Sequence, residues 1–339
     1  MVQEKIHLTA AEIGCLWTTY LNDTMSKCIL SHMFIHIQDP DVKPIIEFAH
    51  KIVCEHIDFL KTVFEKEQYA LPTGFSDQDV QHDAPWLFSD TFCLTYVNQM
   101  AKVGMLSYSG FLAMSARDDL RTYFTTCLSE TSTLYNRSTE IALNKGVFAR
   151  HPYMEVPKQV DFIDDKNYFS GLNPFGNKRP LNAIEISHLY MNILTNMIGI
   201  KLCLGFAQTS PTKEIQQYMI RGRDISNKHV KIFTETLLTN NIEAPQLPDL
   251  SVSSSTTQTF SDKLLMFHMS FLSAAGMGNY ATAAAASQRS DLGVNYERLS
   301  LEIGQYAKSG ADIMIKHNWL EQPPGTIDRE ELAKNKGSK

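Results

Sequence analysis

FARHPYMEVPKQVDFIDDKNYFSGLNPFGNKRPL, residues 148–181, is so dense in proline, glycine and asparagine that neither helical nor strand periodicity survives across it. The chain on either side of it carries the same landmarks. Leu8-Thr-Ala-Ala-Glu-Ile13 returns as Leu181-Asn-Ala-Ile-Glu-Ile186, and Phe88-Ser-Asp90 returns as Phe260-Ser-Asp262. Ser115-Ala-Arg-Asp-Asp-Leu120 returns as Ser287-Gln-Arg-Ser-Asp-Leu292, and the offset stays at 172 or 173 residues throughout. An offset that holds over the whole length marks an internal duplication. The stretch is therefore a linker. It divides the chain into a first unit at 6–147, a linker at 148–180, a second unit at 181–320 and a charged tail at 321–339 that is expected to be flexible.

Composition narrows the function classes. A net charge of −6 and no long run of Lys and Arg leave no electrostatic footprint for nucleic acid. The six cysteines form no CxxC pair, which reads as reduced, buried thiols and a cytoplasmic setting. The first residues lack the apolar core of a signal peptide. Residues 264–286 are apolar enough to raise a membrane question, but His268, Ser270, Ser273 and Asn279 interrupt them, so a buried helix and no membrane span are expected.

Within each unit the apolar period is helical. Ile13, Leu16, Trp17, Tyr20, Leu21, Ile29 and Met33 recur at spacings of three and four. Thr9 with Glu12, and Asn182 with Glu185, have the spacing of a capping box. Asp39-Pro40 and Ser210-Pro211 read as the starts of the second helices, and Ser89 and Ser261 as N-caps of the third. Between second and third helices lie structureless stretches at 71–87 and 241–259, unusually long for loops in a compact domain. A helix of about 28 residues is roughly 42 Å long, and an extended loop of this size can span it. Two hairpins joined by one long crossover is the ferritin-like arrangement. The expected fold is all-α: two tandem ferritin-like four-helix bundles related by the duplication.

The duplicated landmarks, the FSD start of each third helix and the segment VDFIDDKNYFSGLNPFGNKRPLNAIEI (160–186) resemble the domain-of-unknown-function 3231 family of Bacillus and related spore-formers. That family is itself similar to the coat F proteins of the spore coat. The resemblance covers roughly residues 6–322 and implies the fold; it implies no established reaction.

A di-iron bundle needs inward carboxylates from two helices and Glu-x-x-His from the other two. Glu47 with His50 and Glu185 with His188 match that spacing, but neither is repeated in the other unit, and Glu185 already has a capping role. The pair kept by both units is His56 with Glu130 and His229 with Glu302. Each pair falls on neighbouring helices at one height and is expected to point inward, with Tyr108 or Tyr280 orienting the imidazole. The plainer reading is a structural pair, since a buried carboxylate needs a partner. The alternatives are a metal site at His56, Glu130, His229 and Glu302 holding Fe, Mn or Zn, and a chance placement of these residues at the surface. No nucleophile elbow or phosphate loop is present, so no catalytic residue is assigned.

Three functions remain in view. The first is a non-enzymatic structural or interaction protein of a spore-forming bacterium, cytoplasmic or spore-associated, acting through protein partners or self-association. The second is a metal-binding oxidoreductase-type protein with degenerate sites. The third is a carrier of a small apolar ligand in a cavity between the bundles.

Overall fold

The computed structural model describes residues 6–173, 178–246 and 251–334; residues 1–5, 174–177 of the linker, 247–250 of the stretch at 241–259 and 335–339 of the tail lie outside that description. Among the described residues the chain is all-α. The first unit contains α1 (Ala10–His36), α2 (Lys43–Lys66), α3 (Asp90–Met114) and α4 (Asp118–Asn144). The second contains α5 (Ala183–Thr209), α6 (Lys213–Leu238), α7 (Asp262–Ala286) and α8 (Ser290–Lys316). Short turns make hairpins of α1–α2, α3–α4, α5–α6 and α7–α8, and packing of α2 on α4 and of α6 on α8 closes two four-helix bundles.

Local chemistry sets the helix ends. Thr9 and Asn182 cap α1 and α5 in complete capping boxes, while the Ser89 and Ser261 hydroxyls accept from the Phe92 and Leu264 amides. The second helices start later than the Asp-Pro and Ser-Pro pairs predict. Asp39 accepts from the Asp41 and Val42 amides, and Ser210 from Thr212, so each closes a local turn. The helices begin at Lys43 and Lys213, the first with Pro44 in its first turn.

Glu12 and Glu185 do more than cap. Each is buried and reaches across its bundle to the turn of the opposite hairpin. Glu12 Oε1 accepts from the Ala116 and Arg117 amides at 2.9 and 2.8 Å, and Glu185 Oε1 from Gln288 and Arg289 at 3.1 and 2.8 Å. The turn arginines then pair locally, Arg117 with Asp119 and Arg289 with Asp291.

The two crossovers pair with each other. Gln81 N donates to Thr259 O and its counterpart Ser253 N to Leu87 O, at 2.8 and 2.9 Å. Ser89 N donates to Ser251 O, and its counterpart Ser261 N to Asp79 O, at 3.1 and 2.9 Å. Each bond has a twin with the repeats exchanged, so the bundles face one another across a pseudo-twofold axis.

The core follows the same symmetry. A central apolar cluster draws Phe92, Leu94 and Val97 from one bundle and Phe206, Leu264 and Leu265 from the other. A further cluster fills the far end of each bundle, around Leu16, Phe64 and Phe124 and around Leu189, Phe233 and Tyr296. Among the described residues only α5 is long and apolar enough by composition to cross a bilayer, and 56% of its most apolar window is buried inside the protein. Within the tail, Asp328 accepts from the Glu330 and Glu331 amides and caps the short exposed helix α9 (Arg329–Lys334).

Candidate functional site

On α2, Ile45, Ala49, Ile52, His56 and Leu60 fall on one stripe and are all buried. Helical spacing thus turns His56 toward α4, where Glu130 waits. His56 Nε2 lies 3.0 Å from Glu130 Oε2, and His229 Nε2 on α6 lies 3.1 Å from Glu302 Oε2 on α8. The four sequence-selected residues therefore meet as two pairs. They are not all interior: the side chains of Glu130 and Glu302 are 28% and 30% exposed, at the edge of each bundle rather than pointing into its centre.

The other ring nitrogen separates the two bundles. In the first, Asp23 of α1 is buried with Oδ2 3.3 Å from His56 Nδ1. Tyr108 OH donates to Asp23 Oδ1 at 3.3 Å. In the second, the duplication places Asn196 where the first bundle has Asp23, and Leu299 where it has Cys127. There Asn196 Nδ2 donates to Tyr280 OH at 2.8 Å, and that hydroxyl lies 2.9 Å from His229 Nδ1. Having accepted from Asn196, the Tyr280 hydroxyl donates to Nδ1, which leaves the His229 proton on Nε2 facing Glu302.

These partners shift two otherwise equivalent histidines in opposite directions. Burial alone would push His56 down, but the Asp23 carboxylate and the neighbouring Cys127 reverse it and hold the ring protonated well above its ordinary range. His229 is pushed below its ordinary value by burial, which Glu302 offsets only in part. Glu302 is held down against its own burial first by Lys228, whose Nζ lies 2.9 Å from both carboxylate oxygens, and then by His229. In the first bundle the His56 ring lies between two carboxyl groups, Asp23 at 3.3 Å and Glu130 at 3.0 Å. The second carries a neutral imidazole.

Neither arrangement offers a metal three convergent donors. Asp23 and Glu130 approach His56 from opposite edges of the ring, so one ion cannot reach both at ligand distance with the imidazole. Among the described residues no group of three or more His, Cys, Asp and Glu side chains is arranged to hold a metal ion. The Glu-x-x-His matches also lead elsewhere: His50 Nε2 lies 3.1 Å from Ser31 Oγ, and Glu185 is committed to its cap. Asp23 and Cys127 were not selected from sequence. The signal was available in the comparison of the repeats, which differ at these two positions while keeping the histidine, the glutamate and the tyrosine.

A cavity of about 110 Å³ lies beside each site, and the second lies between the bundles, with Gln99, Met100, Lys102, Val103 and Leu106 of α3 in its wall. Asp23, His56 and Tyr108 line the first; Asn196 and Tyr280 line the second. Gly104 sits at the first cavity's wall, where a Cβ would press on Thr131 Cγ2, so it marks a close helix approach. Its counterpart Gly276 has ordinary room.

The sequence model of the family described as "Protein of unknown function (DUF3231)" matches residues 1–160 and 169–332. No curated protein matches the chain. Among solved structures, the chain is similar to a "putative spore coat protein" from Bacillus halodurans, with 17% identity and a TM-score of 0.42. That likeness covers 44% of this chain and 98% of the other.

Proposed function

This chain belongs to the DUF3231 family of proteins of unknown function, and from that premise we propose that it is a non-enzymatic structural protein whose paired bundles serve assembly, with copies of itself or with protein partners. One observation carries the reading. The ring nitrogens of His56 and of His229 are both engaged by side chains of their own bundle, so neither imidazole has a free nitrogen for a substrate or a metal. The groups that look chemical brace helices. The linker supports the assembly role, because Tyr153, Val160 and Phe162 are 87%, 86% and 84% exposed, an apolar display that water disfavours. The reading includes synthesis in the cytoplasm and association with the spore, in keeping with the resemblance to coat F proteins.

The test is the mass in solution of the full chain, purified without a metal-affinity tag and followed by light scattering. The expected result is an assembly larger than one chain that Tyr153→Ser, Val160→Ser and Phe162→Ser together reduce to single chains. A wild type that stays monomeric at all concentrations overturns the self-association arm. Elemental analysis of the same sample checks the alternative. About one equivalent of Fe, Mn or Zn that disappears in the double variant His56→Ala, His229→Ala would replace the structural reading with a metal-binding one.

A further inference from the structure

A cavity of about 380 Å³ lies where α3, α4, the start of the linker and α5 meet, and it adjoins the cavity beside the second site, with Gln99, Lys102, Met191 and Ile198 lining both. Lys102, His151 and His188 line it together with Asn98, Met191 and Ile198, and no acidic side chain does. Lys102 and His188 are half-buried in this largely apolar lining and His151 is exposed, and among the described residues no carboxylate lines the cavity. Among the described residues Lys102 forms no ion pair, and its ammonium lies 5.8 Å from the centre of the Tyr135 ring. His188 Nδ1 is buried and has no hydrogen-bond partner. Burial pushes Lys102 and His188 below their ordinary values, and His151 is lowered by burial and then by the charge of Lys102. The half-buried ammonium thus has an aromatic ring beside it but, among the described residues, no carboxylate.

The cavity is not inherited from the repeat. Ala274 stands in the second unit where Lys102 stands in the first, Cys15 stands in the first where His188 stands in the second, and His151 belongs to the linker. The basic groups come together only because the two bundles and the linker meet. At about 380 Å³ the volume lies at the lower end of the range for small-molecule pockets, roughly 300–1,000 Å³.

We propose that this junction cavity binds a small organic carboxylate with a short apolar tail, its carboxylate on Lys102 and its tail along Met191 and Ile198. A monoanion matches the single ammonium; a phosphate dianion would leave a charge uncompensated in an apolar enclosure. The tail covers apolar lining that water serves poorly. Because the ligand would touch α3, the linker and α5 at once, its binding would tie the bundles together.

Calorimetric titration of the full chain with octanoate, octylamine and inorganic phosphate separates the possibilities. Octanoate is expected to bind one per chain, octylamine not at all, and phosphate about tenfold or more weaker than octanoate. Lys102→Met is expected to weaken octanoate by about tenfold or more while its melting temperature stays at or above wild type, since the variant removes an unpaired cation. Met191→Trp, which fills the cavity from its rim and keeps the lysine, is expected to abolish octanoate binding. No octanoate binding, equal binding of octylamine, phosphate binding tighter than octanoate, or an unchanged affinity in Lys102→Met would each overturn the assignment.

Discussion

Tyr96 OH lies 2.8 Å from His268 Nε2, and the two residues occupy the same position in the two repeats, 172 apart. A residue that touches its own counterpart lies beside the pseudo-twofold axis. Both side chains are buried, and burial pushes the His268 imidazole down to about 4, so the contact is a neutral hydrogen bond inside an apolar core. Tyr96→Phe leaves His268 Nε2 without a partner and is expected to cost about 1–3 kcal/mol, the range for orphaning a buried polar group. Because the central cluster is built from both bundles, the loss is expected as a shift of one common unfolding transition. Scanning calorimetry reads it directly, and two separate transitions in the wild type would show that the bundles do not cooperate.

The buried carboxylates Glu12 and Glu185 predict a second pattern. Burial would raise both, but backbone amides bring Glu12 below its ordinary value, and Arg179 with backbone amides does the same for Glu185. A depressed carboxyl contributes stability that is present above its unfolded value of 4.5 and is lost as pH falls through the folded value. Glu12→Gln is expected to cost at least about 2 kcal/mol near neutral pH, because two amides of the opposite turn lose a charged acceptor. Glu185→Gln is expected to cost more, since it also unpairs Arg179, which holds the carboxylate at 2.7 and 2.8 Å. Urea titration of both variants gives the order, and equal costs would remove Arg179 from the argument.

His56 and His229 should differ in charge at neutral pH because the two bundles differ at Asp23 and Cys127, where the second has Asn196 and Leu299. Nitrogen-detected NMR is expected to show His56 protonated on both ring nitrogens at pH 7 and His229 on one only. Asp23→Asn gives the first bundle the amide that the second has at position 196, and is expected to bring His56 down. Asn196→Asp is expected to raise His229. The sign for stability follows from the raised value: the His56 contribution is complete below its unfolded value of 6.5 and is lost as pH climbs toward the folded value. A His56 signal that titrates near 6.5 in the wild type would refute the pairing with Asp23.

The repeat geometry explains why some of this was legible in the sequence. Landmarks 172 or 173 residues apart gave the duplication, and heptad-like spacing on α2 and α4 brought His56 to Glu130, because position and height along a straight helix are nearly fixed by residue number. Asp23 lies three residues after Tyr20 on the buried face of α1, but its partner His56 is distant in sequence, and spacing along α1 does not name it. The pairing of the crossovers was hidden for a related reason. A loop long enough to span a bundle carries no periodic pattern, and only the meeting of two such loops reveals that Gln81 and Ser253 make twin bonds. Glu12 read as a cap alone, since its second set of partners at Ala116 and Arg117 is distant in sequence and backbone in kind.

Two buried histidines outside the sites should set the acid limb of stability. His32 packs edge-on against Phe260 with a ring nitrogen that has no partner, and burial, with smaller help from His36, pushes it down to about 4. His268 is pushed to about the same value by burial. A folded value below the unfolded 6.5 means that the unfolded chain binds the proton first. The contribution is therefore whole above pH 6.5 and drains away as pH falls toward 4, by about 3 kcal/mol for each histidine at 1.36 kcal/mol per unit. This window opens above the one set by Glu12 and Glu185, so between pH 6.5 and 5 the histidines dominate the slope. Unfolding free energy measured across that interval is expected to fall with decreasing pH in the wild type and to fall less steeply in His32→Leu, by close to one proton. His32→Leu keeps an apolar side chain against Phe260, so an unchanged slope would mean that His32 is already protonated in the folded chain and that its burial does not govern its charge.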